Sequence, residues 1–372
     1  MADMAQTPPL PPLTVEEVRT FVRRGFVVKR AVLDKDGCAA ARDLLWSSNR
    51  CNRLVRERPE TWSGRFSPAE NTRIPNEVGG RLLQTGSSWI YRDPMSDPLL
   101  LDLVPRRVMP WLEQLLGEGQ VQKPVDGATE NPLRNAGQSG GQVVRGIYAN
   151  MPLSPEEASA NEHKRHSGGQ HVDTQPAHVI VTAHIDALPP LSGGTMLWPG
   201  SHRLLHARNP TFTKLMQATA YQPHDPKPWA GFPYRRCVWA TPQLQHDFRT
   251  VQAFVGEYLQ PEEFCGGEGD VVLWHARCFH SASRNFSAQL YSQPHIRQAV
   301  FYDCHRSDML TKDYRDGERG SGDQWYEWSD EVRQAATEVE KEPEVLALVA
   351  AVQQAAAPPL ADPEQKRSPA RL

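Results

Sequence analysis

The sequence predicts an α+β protein with a mainly β core, and three observations carry that expectation. Runs rich in β-branched residues recur from Val143 to Tyr302, with Gly-containing turns between them. Helical spacing lies before and after those runs. The chain has 372 residues, 39% hydrophobic and 23% charged, which suits a globular protein with one large core. Together these read as a β-sandwich or barrel flanked by N- and C-terminal helices.

Residues 1–12 are Pro-rich and expected to be disordered. Thr14-Val15-Glu16-Glu17 is a capping-box pattern, opening a helix whose apolar side is Val18, Phe21 and Val22 and which Gly25 ends. Phe26 to Arg30 reads as a strand, and about Asp36 to Ser48 as a second helix. Residues 51–80 show little periodicity, and Ser88 to Tyr91 reads as a strand. From Pro98 to Leu116 the spacing is helical, and Pro105 and Pro110 are expected to split it into two short helices outside the sheet. Val143–Asn150, Ala177–Ile185, Thr195–Trp198, Val271–Trp274 and Ile296–Tyr302 read as strands, the second of them buried. Residues 207–262 form a long stretch rich in Pro, Trp and Tyr, expected to be a lid or substrate wall. One helix is expected over about 330–356, then a disordered tail at 358–372, so that 13–357 is a single domain.

Several function classes are disfavoured at once. A net charge of -3 and a pI near 6.5 argue against a nucleic-acid surface. No apolar run is long enough to span a bilayer, so no membrane partner is expected. Met1 to Pro12 lacks the basic and apolar regions of a secretory signal. Cys38, Cys51, Cys237, Cys265, Cys278 and Cys304 are scattered and read as reduced thiols. The expected location is the cytoplasm. In a eukaryotic host the ending Ala370-Arg371-Leu372, a variant of Ser-Lys-Leu, would direct the chain to peroxisomes instead.

Chemistry concentrates in three patterns. In Gln170-His171-Val172-Asp173, residues two apart share a face if the chain is extended. An imidazole and a carboxylate on one face, joined by a His from elsewhere, form the facial triad that holds non-haem Fe(II) with positions left open. Alone, such a triplet is better explained by a hydrogen-bonded surface pair, and it gains weight only from the patterns that accompany it. The second pattern runs from Gly193-Gly194-Thr195 to Pro199-Gly200-Ser201-His202 and reads as a strand and structural turn. The third is Gly269-Asp270 followed by Val271 to His275, with His280, Asn285 and Arg297 beyond. His275 and His280 are both candidates for the third metal-binding group. Arg297 alternates onto one face with Ala299 and Phe301, and a charge in so apolar a strand requires an anionic partner.

As a set, with the opening helix and Gly25-Phe26-Val27-Val28, these patterns resemble the phytanoyl-CoA dioxygenase-like branch of the Fe(II)/2-oxoglutarate-dependent oxygenases. The resemblance covers residues 13–48 and 143–303. It implies a double-stranded β-helix (jelly-roll) core at about 143–303, with Fe(II) held near one open end by His171, Asp173 and His280 as metal-ligating and catalytic residues. The family's third ligand lies five residues past the first His, which favours His280 over His275. Arg297 would hold the distal carboxylate of 2-oxoglutarate, with O2 as oxidant and ascorbate as a stimulant. The family's small hydroxyl residue two positions after the distal His is here Ala282, leaving Ser283 as a stand-in. Tyr148 and Asn150 fall where the family makes polar contacts to the cosubstrate. His184 is expected to face the cavity, and Trp229 and Trp239, with Phe232 and Tyr234, to line a substrate pocket. The implied reaction hydroxylates or otherwise oxidises an aliphatic C–H of a small-molecule metabolite, releasing succinate and CO2. Asp173 favours hydroxylation over halogenation, and the lack of a Lys/Arg cluster favours a small metabolite over an acyl-CoA. A catalytically silent jelly-roll that binds a metabolite or partner, and a zinc hydrolase built on the same ligands, are the alternatives.

Overall fold

A computed structural model describes residues 9–75, 81–92, 97–122, 144–162, 170–172, 177–210, 242–307 and 323–355. Helix α1 (Val15–Arg24) begins as its capping box dictates, with the Glu17 amide donating to the Thr14 hydroxyl and the Thr14 amide to the Glu17 carboxylate. It ends at Gly25, in the left-handed region at φ 83°. Its last carbonyls are capped from far along the chain. His202 Nε2 donates to the Val22 carbonyl at 3.1 Å, and the Arg203 guanidinium reaches the carbonyls of Val22 and Arg23. The Pro199–His202 turn is therefore structural, as expected from its sequence. Strand β1 (Phe26–Lys29) and helix α2 (Lys35–Ser47), N-capped by Asp34, follow.

Two expectations about the first third need correction. Residues 51–80 are not wholly irregular, because β2 (Thr72–Pro75) pairs with β3 (Arg81–Thr85), which pairs with β4 (Ser88–Arg92). The prolines do not split residues 98–116 either. The chain runs from α3 (Pro98–Leu101) through one π-helical turn, Asp102–Arg106, into α4 (Arg107–Leu116). Pro105 lies in the π turn, whose displaced bonding accommodates a residue without an N–H, and Pro110 lies inside α4. Nor does disorder reach Pro11, whose carbonyl accepts from Trp111 Nε1 at 2.7 Å.

The core holds β5 (Val144–Asn150), α5 (Pro155–Ala160), β6 (Val179–His184), β7 (Thr195–Leu197), α6 (Leu204–Arg208), α7 (Pro242–Tyr258), β8 (Glu262–Phe264), β9 (Val271–His275), β10 (His280–Ala282), α8 (Ser287–Leu290) and β11 (Arg297–Cys304). One antiparallel sheet has the order β1-β9-β6-β11-β5-β4-β3-β2, and a smaller one the order β10-β7-β8. A bridge between His171 and His280 extends the small sheet by one more segment. From β5 to β11 the chain crosses repeatedly between the sheets: β5, β6, β9 and β11 join the large one, and the His171 segment, β7, β8 and β10 the small one. That is the jelly-roll topology the resemblance implies.

Strand alternation sorts the large sheet into two faces. Val179, Val181, Ala183, Val271, Leu273, Val300 and Tyr302 join the main core with residues of α1 and α4. Ile180, Val272 and Trp274 turn the other way, onto Leu197 and Phe264 of the small sheet. Chemistry between the sheets must come from this second face.

Two further corrections concern the C-terminal half. The stretch 207–262 ends in α7, of 17 residues, and in β8, a core strand, while residues 211–241 lie outside the described residues. The expected single helix is two, α9 (Asp330–Val339) and α10 (Pro343–Gln354), because Pro343 cannot continue α9 and instead starts a new helix. The tail at 358–372 lies outside the described residues.

Gly25 gives a test of how α1 is fixed to the core. A Cβ there would stand 2.5 Å from His202 Nδ1 on a backbone that disfavours side chains. Gly25→Ala should lower stability by roughly 2 kcal/mol or more. Urea unfolding checks this, and an unchanged midpoint would contradict it.

Candidate metal centre

Two of the three expected metal-binding side chains meet across the small sheet. The amide of His171 donates to the His280 carbonyl at 3.0 Å, and that of His280 to the His171 carbonyl at 2.9 Å. This reciprocal pairing brings the imidazoles side by side, with ring centroids 4.4 Å apart. His280 is buried and His171 exposed, so the pair stands at an open end of the sandwich. Asp173 lies outside the described residues, and among the described residues no group of three His, Cys, Asp or Glu is arranged to hold a metal.

His280 is the more constrained of the pair. Its Nδ1 lies 3.0 Å from the Cys278 carbonyl, which can only accept, so Nδ1 carries the proton and Nε2 the lone pair. Trp274 packs against it at 4.4 Å between ring centroids, and Trp274 Nε1 donates to Thr182 Oγ1 at 3.1 Å. His171 is steadied from the other side by α7. Gln252 Nε2 donates to the Gln170 carbonyl at 2.8 Å, and Gln170 Nε2 to the Gln252 carbonyl at 3.3 Å. Nothing in the sequence pattern singles out Gln252, because its contact is set by tertiary packing.

His275, the rival third group, lies on the opposite phase of β9 from Trp274. Its ring stacks on Trp328 at 4.9 Å and lies 5.2 Å from His202, and its Nδ1 accepts from the Arg277 amide at 3.0 Å. Burial pushes its pKa well down, so it is a neutral core residue.

The opposite end of the interior is defined by Arg297, the first residue of β11. It pairs with Asn150 of β5 and is buried, with 7% of its surface exposed. Its guanidinium lies 5.7 Å from the Phe301 ring, and its buried Nε has no hydrogen-bond partner. Desolvation lowers its pKa to about 10, which still leaves it charged at neutral pH. The fields of Tyr148 and Glu263 reach it, but the Glu263 carboxylate is committed to the amides of Leu191, at 2.6 Å, and Gly194, at 2.8 Å. Among the described residues Arg297 has no salt bridge. Burying a guanidinium in this way carries a desolvation cost.

The remaining expected site residues divide. Tyr148 lies beside this end, its ring 4.9 Å from that of Phe301. His184 lies opposite Ala299 on the inner face, fully buried and stacked on Phe264 at 4.1 Å. The Asn150 side chain instead donates to the Ser283 carbonyl at 3.2 Å, tying β5 to the loop after β10. Ser283 donates its hydroxyl to the Arg284 carbonyl at 3.1 Å, a local bond that leaves it a poor stand-in for the missing hydroxyl. Trp229, Phe232, Tyr234 and Trp239 lie outside the described residues.

The pattern described as phytanoyl-CoA dioxygenase (PhyH) matches residues 21–292, from the middle of α1 to just past α8. The chain belongs to the phytanoyl-CoA dioxygenase family. The match takes in His171, Asp173 and His280 and ends five residues before Arg297. No curated protein matches the chain. Among solved structures, EctD from S. alaskensis with 2-oxoglutarate and 5-hydroxyectoine shares 13% identity over 87% of this chain and 86% of that one, with a TM-score of 0.41. HygX from Streptomyces hygroscopicus, with nickel, 2-oxoglutarate and hygromycin B bound, shares 12% over 82% and 94%, with a TM-score of 0.38. The epimerase SnoN from nogalamycin biosynthesis shares 16% over 80% and 86%, with a TM-score of 0.37. At such scores the jelly-roll is read from this chain's own sheet topology.

The two candidate histidines should separate cleanly. His280→Ala should abolish divalent-metal binding measured by equilibrium dialysis. His275→Ala should bind metal normally but lose about 2–4 kcal/mol of stability, because it empties a packed aromatic cluster. Loss of metal from His275→Ala alone would reverse the assignment.

Proposed function

We propose that the protein is a non-haem Fe(II)/2-oxoglutarate-dependent dioxygenase that hydroxylates, or otherwise oxidises, an aliphatic C–H of a small-molecule metabolite. The observation that carries this reading is Arg297: a buried guanidinium, unpaired among the described residues, on the inner face of a sandwich whose other end bears a histidine pair. Family membership supports it. So does the donor set, because two imidazoles, one with its tautomer fixed by Cys278, suit a divalent metal of intermediate softness.

In this reading His171 and His280 hold the metal, and Asp173, two residues along from His171, completes the set. When bound, Fe(II) and 2-oxoglutarate supply the oxidation of the C–H by O2, with succinate and CO2 as the other products. The chain's own residues bind, orient and exclude water. Arg297 grips the distal carboxylate with its planar fork and fixes the direction in which the 2-oxo acid lies. The Cys278 carbonyl keeps His280 in the one tautomer that offers Nε2. Trp274, Leu197 and Phe264 make the interior apolar, which strengthens each of these electrostatic contacts. Substrate approaches from the side on which His171 is exposed, so that its C–H is positioned while the cosubstrate end stays closed.

The test is an anaerobic titration of the protein with Fe(II) and 2-oxoglutarate, followed by the visible metal-to-ligand charge-transfer band. Wild type should develop the band, His171→Ala and His280→Ala should not, and Arg297→Ala should retain iron but weaken 2-oxoglutarate binding by at least tenfold. No band in wild type with both components in excess would end this reading.

A further inference from the structure

Helix α7 carries a notch that faces the segment bearing His171. Gly256 lies near the C-terminal end of this helix, with a φ outside the left-handed region. Backbone conformation therefore does not call for glycine there, and glycine inside a helix is disfavoured relative to alanine. Close approach is what calls for it. A Cβ at this position would collide with Nε2 of Gln170 and stand 3.5 Å from its Cδ.

Gln252 stands one turn before Gly256, on the same face of α7. The Gln170 amide group, seated in the notch, donates to the Gln252 carbonyl at 3.3 Å, and Gln252 Nε2 donates back to the Gln170 carbonyl at 2.8 Å. Side chain and backbone of the residue before His171 are thus both gripped by one helix. Val172, the residue after it, is buried with Val251, Phe254 and Val255 of the same helix. The helix is itself anchored through Asp247, which is 4% exposed and accepts from Arg208 at 3.1 Å and Asn209 at 2.9 Å. We propose that Gln252 and Gly256 are positioning residues that set the metal affinity of the site, because the notch seats Gln170 and so fixes the backbone from which the His171 imidazole projects. This rests on the oxygenase reading and deepens it.

The need for such a grip follows from how little else holds His171. Its pairing with His280 is an isolated bridge, a single residue long. A metal that binds a loosely held imidazole must also order the chain that carries it, and that entropy is subtracted from the affinity. The α7 notch supplies the order beforehand, although neither Gln252 nor Gly256 is itself a metal-binding group. Glycine at 256 trades some helical propensity for that geometry. The collision introduced by a Cβ would fall on the free end of a flexible side chain, so the fold can absorb it by releasing Gln170. Metal affinity and fold stability are therefore expected to respond to the same substitution in different directions.

The experiment measures Fe(II) affinity by anaerobic equilibrium dialysis, and the urea midpoint of the metal-free protein, for wild type and four variants. Gly256→Ala should bind Fe(II) about tenfold more weakly while its urea midpoint equals or exceeds that of wild type. Gln252→Leu, which removes the returning donor, should weaken Fe(II) binding to a similar extent. Gln170→Ala should do the same, and adding Gly256→Ala to it should cause no further loss, because the side chain that the new methyl group displaces is already gone. Wild-type Fe(II) affinity in Gly256→Ala and Gln252→Leu would overturn this proposal alone. So would a further loss in the double variant, or a urea midpoint that falls together with Fe(II) affinity in Gly256→Ala. A wild type that binds no Fe(II) would overturn the oxygenase reading and this proposal with it.

Discussion

A guanidinium enclosed in an apolar sandwich is the constraint around which the rest of this structure makes sense. Arg297 begins β11 opposite Asn150 of β5, and β6 pairs with the same strand from Ala299 onward. The charge cannot be relieved by deprotonation near neutral pH, since its pKa falls only to about 10. Glu263 reaches it only through its field, since its carboxylate is hydrogen-bonded to the amides of Leu191 and Gly194. A buried charge without an ion-pair partner carries a desolvation cost that the rest of the fold must offset.

The other end is built by different means. Neither histidine of the pair depends on a long strand, since His171 contributes a single bridge and β10 is three residues long. Rigidity comes instead from layers behind them. The Cys278 carbonyl and Trp274 hold His280, Thr182 holds Trp274, and α7 holds the residue before His171 through two amide contacts. The turn at Pro199–His202 reaches the same region, since Ser201 Oγ accepts from the Phe279 amide while His202 caps α1. Folding of the N-terminal helix and placement of the strand that carries His280 are thereby linked through one turn.

Much of this was legible in the sequence, for local reasons. The β-branched run around Val179–Val181 and the Gly269-Asp270 opening of β9 announced central strands, and period-two alternation placed Arg297 with Ala299 and Phe301. The spacing that separated His280 from His275 proves to be a matter of faces, because His275 follows Trp274 on one strand and must point to the opposite layer. What stayed hidden depends on partners distant in sequence. The strand β8, Glu262–Phe264, is acidic and short, and only its neighbours in the small sheet make it a strand. Prolines 105 and 110 looked like helix breakers, but a π turn absorbed one and the other lies inside α4. Ser283 was expected to stand in for the hydroxyl that Ala282 lacks, but its hydroxyl bonds the Arg284 carbonyl, a local contact that the sequence does not reveal.

The most direct measurement is a crystal structure of the protein grown without oxygen in the presence of Fe(II) and 2-oxoglutarate. The metal should lie on His171 and His280, with the distal carboxylate of the 2-oxo acid seated on the Arg297 guanidinium. An Arg297 paired with a protein carboxylate, or 2-oxoglutarate bound away from β11, would contradict it.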